Sequence, residues 1–520
     1  MIRYFWASCV VVLLFSDWCA AADVRSVLHA DFNKPDALSK WRGSGGKLVA
    51  GADGTCLMLE TDGKKPYAKR TVDLPVDRIA GKLITIKASV KADGVSKPPK
   101  PWNGIKVMIV ARTGSDTAYP QIALPQGTFD WVKVQRSIRL PKDVSTATLQ
   151  LGLEQVAGKV WFDDVRITLG RGASGGRRLD KPFKGHDLKR LRGVMHGPEF
   201  DEKNIRDLAA WGANHIRWQL NWVPMKAAEQ WAKDLERYDR WLDGALKHAD
   251  KAADACEKYG IKMLLDLHCP PGGRSEGGVC RMFTEKRYQQ KFLDIWKRLA
   301  TRYKDRKAIY AYDLINEPVD VSVHPKGLLG WRELATRTAR VIRQIEPGKP
   351  IVFEPGPWGF CQGFDEIAPL DIDRVIYSFH MYQPHVFTHQ FRKTKEFPGG
   401  IEYPGEIRGV RWDKARLLTA MQPAIDFQRE FNVHIYVGEF SAIRWAPNES
   451  AHRYIRDLIE LFEAAGWDWS YHAYREWHGW SVEHGSDRRD TSPTRLPTKR
   501  KKLLLKYFAA NRQSGTKSGS

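Results

Sequence analysis

The sequence has no pair of cysteines at zinc-finger spacing, no apolar run of membrane-spanning length and no concentrated strip of basic charge. Zinc-finger ligands come in closely spaced Cys/His pairs, so no structural metal is expected, and nothing points to a cofactor. A spanning helix needs roughly 20 apolar residues, and the run over residues 4–15 is well short of that. Stable membrane insertion is therefore not expected. The 83 basic residues outnumber the 61 acidic ones, for a net charge of +22, but they are spread along the chain. The one dense run, Lys499-Arg500-Lys501-Lys502, lies near the C-terminus. That distribution reads as a solvated basic surface and tail, not a nucleic-acid footprint. An acidic polysaccharide or anionic cell surface is the functional alternative.

Arg3, the apolar run and Cys19-Ala20-Ala21-Ala22 before Asp23 have the layout of a secretory signal peptide over residues 1–22. The protein is then expected to be secreted, extracellular or periplasmic. Ser16-Asp17-Trp18 is too polar and bulky to precede a lipidated Cys19. Loss of the signal removes Cys9 and Cys19 and leaves Cys56, Cys256, Cys269, Cys280 and Cys361, an odd number that cannot all pair. Cys269 and Cys280 bracket a short loop rich in proline and glycine and are the expected disulfide in an oxidising compartment.

A hydrophobic content of 42% and a charged content of 28% are those of folded, water-soluble protein, and the length suggests two domains. Residues 23–169 contain short runs such as Lys82-Leu83-Ile84-Thr85-Ile86-Lys87-Ala88-Ser89-Val90, in which apolar and polar residues partly alternate. No long helical pattern interrupts them, which predicts an all-β sandwich of jelly-roll type. Residues 158–167 resemble the closing strand of carbohydrate-binding modules. Trp41, Trp102, Phe129, Trp131 and Trp161 could stack on sugars if they line one exposed face, or belong to the core. Residues 170–184 open with Gly170-Arg171-Gly172-Ala173-Ser174-Gly175-Gly176 and read as an exposed linker.

From 185 to 511 the pattern changes to strands alternating with long amphipathic segments. Candidate strands fall at 191–195, 215–218, 262–267, 309–314, 351–354, 375–379, 435–438 and 467–472. Helices are expected at 202–211, 238–259, 287–303, 331–345, 414–431 and 451–465. Eight such units predict a (β/α)8 barrel, followed by a disordered tail over 512–520.

In such a barrel the chemistry sits at the C-terminal strand ends. Strand four ends Ile315-Asn316-Glu317-Pro318 and strand seven ends Val437-Gly438-Glu439. A carboxylate closing a buried apolar run is costly unless paired or used. Strands four and seven can aim both acids across one cleft, as glycoside hydrolysis requires.

With these motifs the sequence resembles glycoside hydrolase family 5, of the clan of (β/α)8 glycosidases. The resemblance implies a retaining enzyme acting on a β-linked glycan such as a glucan or mannan, with Glu317 as acid/base and Glu439 as nucleophile. It implies that Arg217 bonds near the nucleophile, that His268 lines the sugar subsite and that Asn316 binds the 2-hydroxyl. His380 is then expected beside the acid/base, and Tyr382 donating to the nucleophile. The match is poorer at strand eight, where His472 stands at the family's usual tryptophan platform; Trp477, just beyond, is the expected substitute, and Glu476 an extra acid. A retaining pair is expected roughly 5–5.5 Å apart. A transglycosylase or a non-catalytic glycan-binding protein would share the scaffold. A monomer is expected, with no nucleic-acid partner.

Overall fold

The computed structural model describes residues 25–512 except 44, 66, 115, 173–175, 223–230 and 391–398. The expected signal peptide and residues 513–520 of the expected tail lie outside the described residues, as does part of the 170–184 linker.

The N-terminal region is two antiparallel sheets packed face to face. The six-stranded sheet holds Ser26–Ala30, Lys47–Ala50, Thr55–Thr61, Leu83–Val95, Gly127–Arg139 and Gly158–Leu169, and the four-stranded sheet holds Tyr67–Asp73, Gly104–Arg112, Thr117–Ala118 and Thr146–Glu154. The two-residue period of a strand sends Ile84, Ile86, Ala88, Val90 and Ala92 into the shared core with Val107, Ile109, Leu149 and Leu151. Of the five aromatic residues named above, Trp41 is buried. Phe129, Trp131 and Trp161 are half-buried on the six-stranded sheet, and Trp102 alone stands well exposed.

The outer face of the six-stranded sheet does not stay in solvent throughout. Thr85 and Ser137 are polar yet buried: their hydroxyls bond each other at 2.8 Å, Thr85 reaches the Gly170 carbonyl at 2.8 Å, and Gly172 lies over both. The Ser137 amide donates to Glu366 Oε2 at 2.7 Å, and Arg139 grips Asp365 at 2.7 Å. Burial pushes the Glu366 carboxyl up to about 7, against the opposing pull of the Ser137 amide and Arg136. Its proton is bound more tightly in the folded state, so ionisation opposes folding, and its contribution to stability is lost as pH rises from 4.5 to about 7. Glu366→Gln should therefore melt at a higher temperature than the parent above that window and level with it below. Parallel melting curves across the window check this; a constant offset would contradict it.

The expected linker is not free. Arg171 lies over the rings of Phe427 and Phe431 at 5.4 and 5.8 Å. Arg178 donates to the carbonyls of Arg429 and Glu430, and the Leu179 amide to that of Phe431 at 2.9 Å. These are the orphan carbonyls at the C-terminal end of the helix Gln422–Phe431, where cations and donors are favoured.

Eight parallel strands, Arg192–His196, His215–Gln219, Lys262–Asp266, Ile309–Asp313, Ile351–Phe353, Val375–Met381, Ile435–Phe440 and Asp468–Tyr474, close into a barrel in sequence order. They are called barrel strands one to eight. Helices Glu202–Trp211, Leu235–Tyr259, Lys286–Tyr303, Trp331–Ile345 and Ser450–Ala465 surround it, each burying an apolar stripe. The single helix expected over 414–431 is two, Lys414–Ala420 and Gln422–Phe431. Pro423 has no amide to continue the first and suits the start of the second.

A final helix, Lys499–Arg512, was not legible as one. Its first turn is the basic run read as solvated tail, yet Arg500 is buried and donates to the Ser481 carbonyl at 2.8 Å. Lys501 pairs with Glu483 at 2.9 Å. Phe508 stacks on Trp469 of barrel strand eight, with 5.7 Å between ring centroids.

The expected disulfide is corrected: Cys269 and Cys280 are both free thiols and buried. Cys269 Sγ points to Asn221 Oδ1 at 3.1 Å, while Cys280 sits in the barrel core beside Met282 and Phe283. Among the described residues no helix is long and apolar enough to cross a membrane.

Candidate active site

The C-terminal ends of the barrel strands meet around one buried guanidinium. Arg217, on barrel strand two, is fully buried. It donates to Glu439 Oε1 at 2.7 Å, Glu354 Oε1 at 2.9 Å, Asp313 Oδ2 at 3.0 Å and Asn316 Oδ1 at 3.1 Å, and lies 3.3 Å from Asp266 Oδ2. A buried charge persists only when paired and hydrogen-bonded, and Arg217 is both. Burial pushes the Asp313 carboxyl well above the usual range despite Arg217. Among these acids it therefore takes up a proton readily, which relieves the crowding of negative charge.

Glu439 closes barrel strand seven, and burial alone would raise its pKa. His380, His472 and Arg217 around it outweigh that and hold it well below the ordinary carboxylate value. Tyr382, just past barrel strand six, donates to Glu439 Oε2 at 2.8 Å. The glycine before Glu439 has a local reason. A Cβ at Gly438 would come within 2.9 Å of Ser378 Oγ and 3.0 Å of His380 Nε2, so a side chain there would displace the imidazole.

Glu317, past barrel strand four, has a φ of 50°, a left-handed conformation that costs a non-glycine residue roughly 1–3 kcal/mol. The backbone is held there from both sides. Its amide donates to Glu354 Oε2 at 2.8 Å, and its carbonyl accepts from Arg274 at 2.9 Å. The side chain is 25% exposed against 5% for Glu439, so Glu317 is the acid that reaches solvent. His380 joins the two halves: its Nδ1 donates to Glu317 Oε1 at 2.9 Å and its Nε2 to Glu354 Oε1 at 3.0 Å. Burial disfavours a charged imidazole, but Glu354, Glu439 and Glu317 raise His380 well above its usual range, so both nitrogens carry protons.

Closest oxygens of Glu317 and Glu439 lie within 4.8 Å of each other. His268, past barrel strand three, is fixed by Asp266 at 2.8 Å and faces Asn316 at 3.3 Å. The structure thus brings Glu317, Glu439, Arg217, His268, Asn316, His380 and Tyr382 into one hydrogen-bonded cluster.

The cluster forms the floor of a cleft of about 640 Å³, walled by Trp358, Phe360, His385, Trp477 and Trp480. Trp477 lies in the cleft wall. Trp480, which the sequence did not single out, stacks on Tyr382 at 5.4 Å and 23° and lies 4.9 Å from His472. Between these two tryptophans stands Gly479, where a Cβ would come within 2.3 Å of the Trp477 ring. His472 is tied into the cluster beneath the cleft. Its Nδ1 lies 2.6 Å from the Tyr382 hydroxyl and 3.2 Å from Glu439 Oε2, and its Nε2 lies 3.4 Å from Glu476. Burial opposes its charge, yet Glu439 and Glu476 raise it to about 9. Glu476 does not pair with Arg475, which instead grips Asp207 and Glu483. It accepts from Gln219 at 2.8 Å.

The model of the cellulase family, glycosyl hydrolase family 5, matches residues 180–481, which covers barrel and cluster together. The chain belongs to glycosyl hydrolase family 5. It is a glycosidase that hydrolyses O-glycosyl bonds, endoglucanase-like in its barrel. Endoglucanase C of Acetivibrio thermocellus is 27% identical over 297 residues, 52% of this chain and 83% of that protein. Cellodextrinase A of Ruminococcus flavefaciens is 26% identical over 278 residues, 51% of this chain and 75% of its own length. Among solved structures, endoglucanase Cel5A of Thermotoga maritima is similar with a TM-score of 0.48 and 21% identity, over 62% of this chain and 99% of that one.

Proposed function

We propose that this family 5 enzyme is a secreted, retaining β-glycosidase that cleaves a β-linked glucan or mannan-like polysaccharide or oligosaccharide by double displacement. Glu439 attacks the anomeric carbon, while Glu317 protonates the departing glycosidic oxygen. Glu317, now a carboxylate, then takes a proton from the water that releases the sugar from Glu439. The mechanism calls on neither metal nor cofactor.

The observation that carries this reading is the opposed pair itself. The approach of Glu317 and Glu439 within 4.8 Å suits direct attack, whereas an inverting pair stands roughly 6.5–9.5 Å apart to admit water. The surroundings support the division of roles. Arg217, Tyr382 and His472 all favour a charged, fixed Glu439, as a nucleophile needs. Glu317 faces the open cleft, where a proton can be returned from solvent. Asn316, its oxygen on Arg217 and its amide toward His268, would meet the sugar 2-hydroxyl, a contact that strengthens in the transition state. Trp358, Trp477 and Trp480 offer apolar planes for sugar rings. The names of the relatives, an endoglucanase and a cellodextrinase, favour a β-glucan. Domain limits at 23–169 and 185–511 and export behind a 1–22 signal belong to the same proposal.

A panel of soluble β-glucans, mannans, xylans and aryl β-glycosides tests it, with the first-formed anomer read by proton NMR. Cleavage of a glucan or mannan with β-product is expected; an α-product, or no cleavage across the panel, overturns it.

A further inference from the structure

We propose that the open face of the four-stranded sheet in the N-terminal sandwich is a second glycan site, for a neutral β-linked polysaccharide chain. The ligand class rests on the hydrolase reading of the barrel; the site itself rests on the sandwich.

Strand alternation sends one face of this sheet into the sandwich core and turns the other outward over a concave groove of about 1110 Å³, larger than the catalytic cleft of about 640 Å³. A single sugar would leave most of such a groove empty, so the fit is to a chain. Its rim carries Tyr67, Trp102 and Tyr119, exposed at 45%, 58% and 60%. Among the described residues four aromatic side chains stand exposed, the fourth being Trp231, and three of the four line this groove. Among the described residues the other Phe, Trp and Tyr rings, Trp231 apart, are buried or half-buried. Exposed rings beside polar groups suit sugars, whose C–H faces stack on an aromatic plane while hydroxyls reach donors and acceptors.

The floor is built, with Arg42, Lys69, Lys106 and Arg112 set against Asp73 and Glu154. Lys106, 3% exposed at its side chain, pairs with Glu154 at 2.5 Å. It also donates to Gln121 at 2.9 Å and to the Trp102 carbonyl, which fixes the backbone beneath the Trp102 ring. Asp73 is paired with Arg42. Both acids are paired, Lys69 and Arg112 add two further basic side chains to the lining, and the Gln150 amide, also in the lining, can meet hydroxyls. The exposed rings fit the C–H faces of a neutral polymer's sugars, and high salt in the test screens the surplus basic charge.

The test uses the full chain carrying Glu439→Gln, so that polymers survive, in affinity electrophoresis through hydroxyethylcellulose, mixed-linkage β-glucan and galactomannan in high salt. Retardation by at least one polymer is expected, weakened about tenfold or more by Trp102→Ala with Tyr119→Ala, the scale for losing two ring contacts. In the active chain the same double variant should keep its kcat/KM on aryl glycosides and its melting temperature, and lose several-fold on insoluble polymer. Equal retardation of parent and double variant overturns the proposal, as does the absence of retardation in a chain that still cleaves aryl glycosides. Trp102-dependent retardation without any cleavage would uphold the groove and count against the hydrolase reading alone.

Discussion

Glu439→Ala should lower turnover on the order of 10⁵-fold, the scale on which removal of a catalytic nucleophile acts, and added azide should restore part of it. The truncation leaves a space beside Arg217 and Tyr382, both of which bond the carboxylate in the parent. A small anion fits that space and meets the same donors. Azide attacks from the nucleophile's face in a single displacement, so the expected product is a glycosyl azide of inverted configuration. A retained azide product would contradict the assignment, because it would require a second nucleophile. Loss of turnover through misfolding is distinguished by melting, and rescue by azide itself excludes it.

Glu317→Ala should give a different signature. Natural glycans leave as poor alkoxides and need the proton, so they should lose about 10²–10⁴-fold, the range for general acid catalysis. Aryl glycosides with acidic phenols depart without assistance and should lose far less in the glycosylation step. Equal losses for both substrate classes would show that Glu317 acts through structure and not as the acid.

The barrel was legible in the sequence because each strand is buried on both faces and so reads as an apolar run, as in Lys262–Asp266 and Ile309–Asp313. The two glutamates were legible for the related reason that an acid closing such a run is conspicuous. Glu354, Asp266 and Asp313 carry the same signal, yet their part was not apparent. Each matters through Arg217 or His380, and the contacts run between strands far apart in the chain. The misread features are of two kinds. Local spacing made a bridge of Cys269 and Cys280, but it cannot tell which way a thiol points, and Cys269 turns to Asn221. Composition made a tail of Lys499-Arg500-Lys501-Lys502, but the carbonyls of Ser481 and His484 that receive Arg500 come from a loop with no period to read. Trp480 escaped notice for the same reason, and its place against Tyr382 and His472 follows from folding of the loop after barrel strand eight.

The central claim is that Glu439 becomes covalently glycosylated during turnover. A 2-deoxy-2-fluoro glycoside with a good leaving group, of whichever sugar the panel shows to be cleaved, slows release of that intermediate and lets it accumulate. Mass spectrometry of the digested protein should then find one sugar on the peptide containing Gly438-Glu439-Phe440, with inactivation following the same time course. A sugar attached to Glu317 or any other residue, or steady turnover with no adduct, would contradict the account.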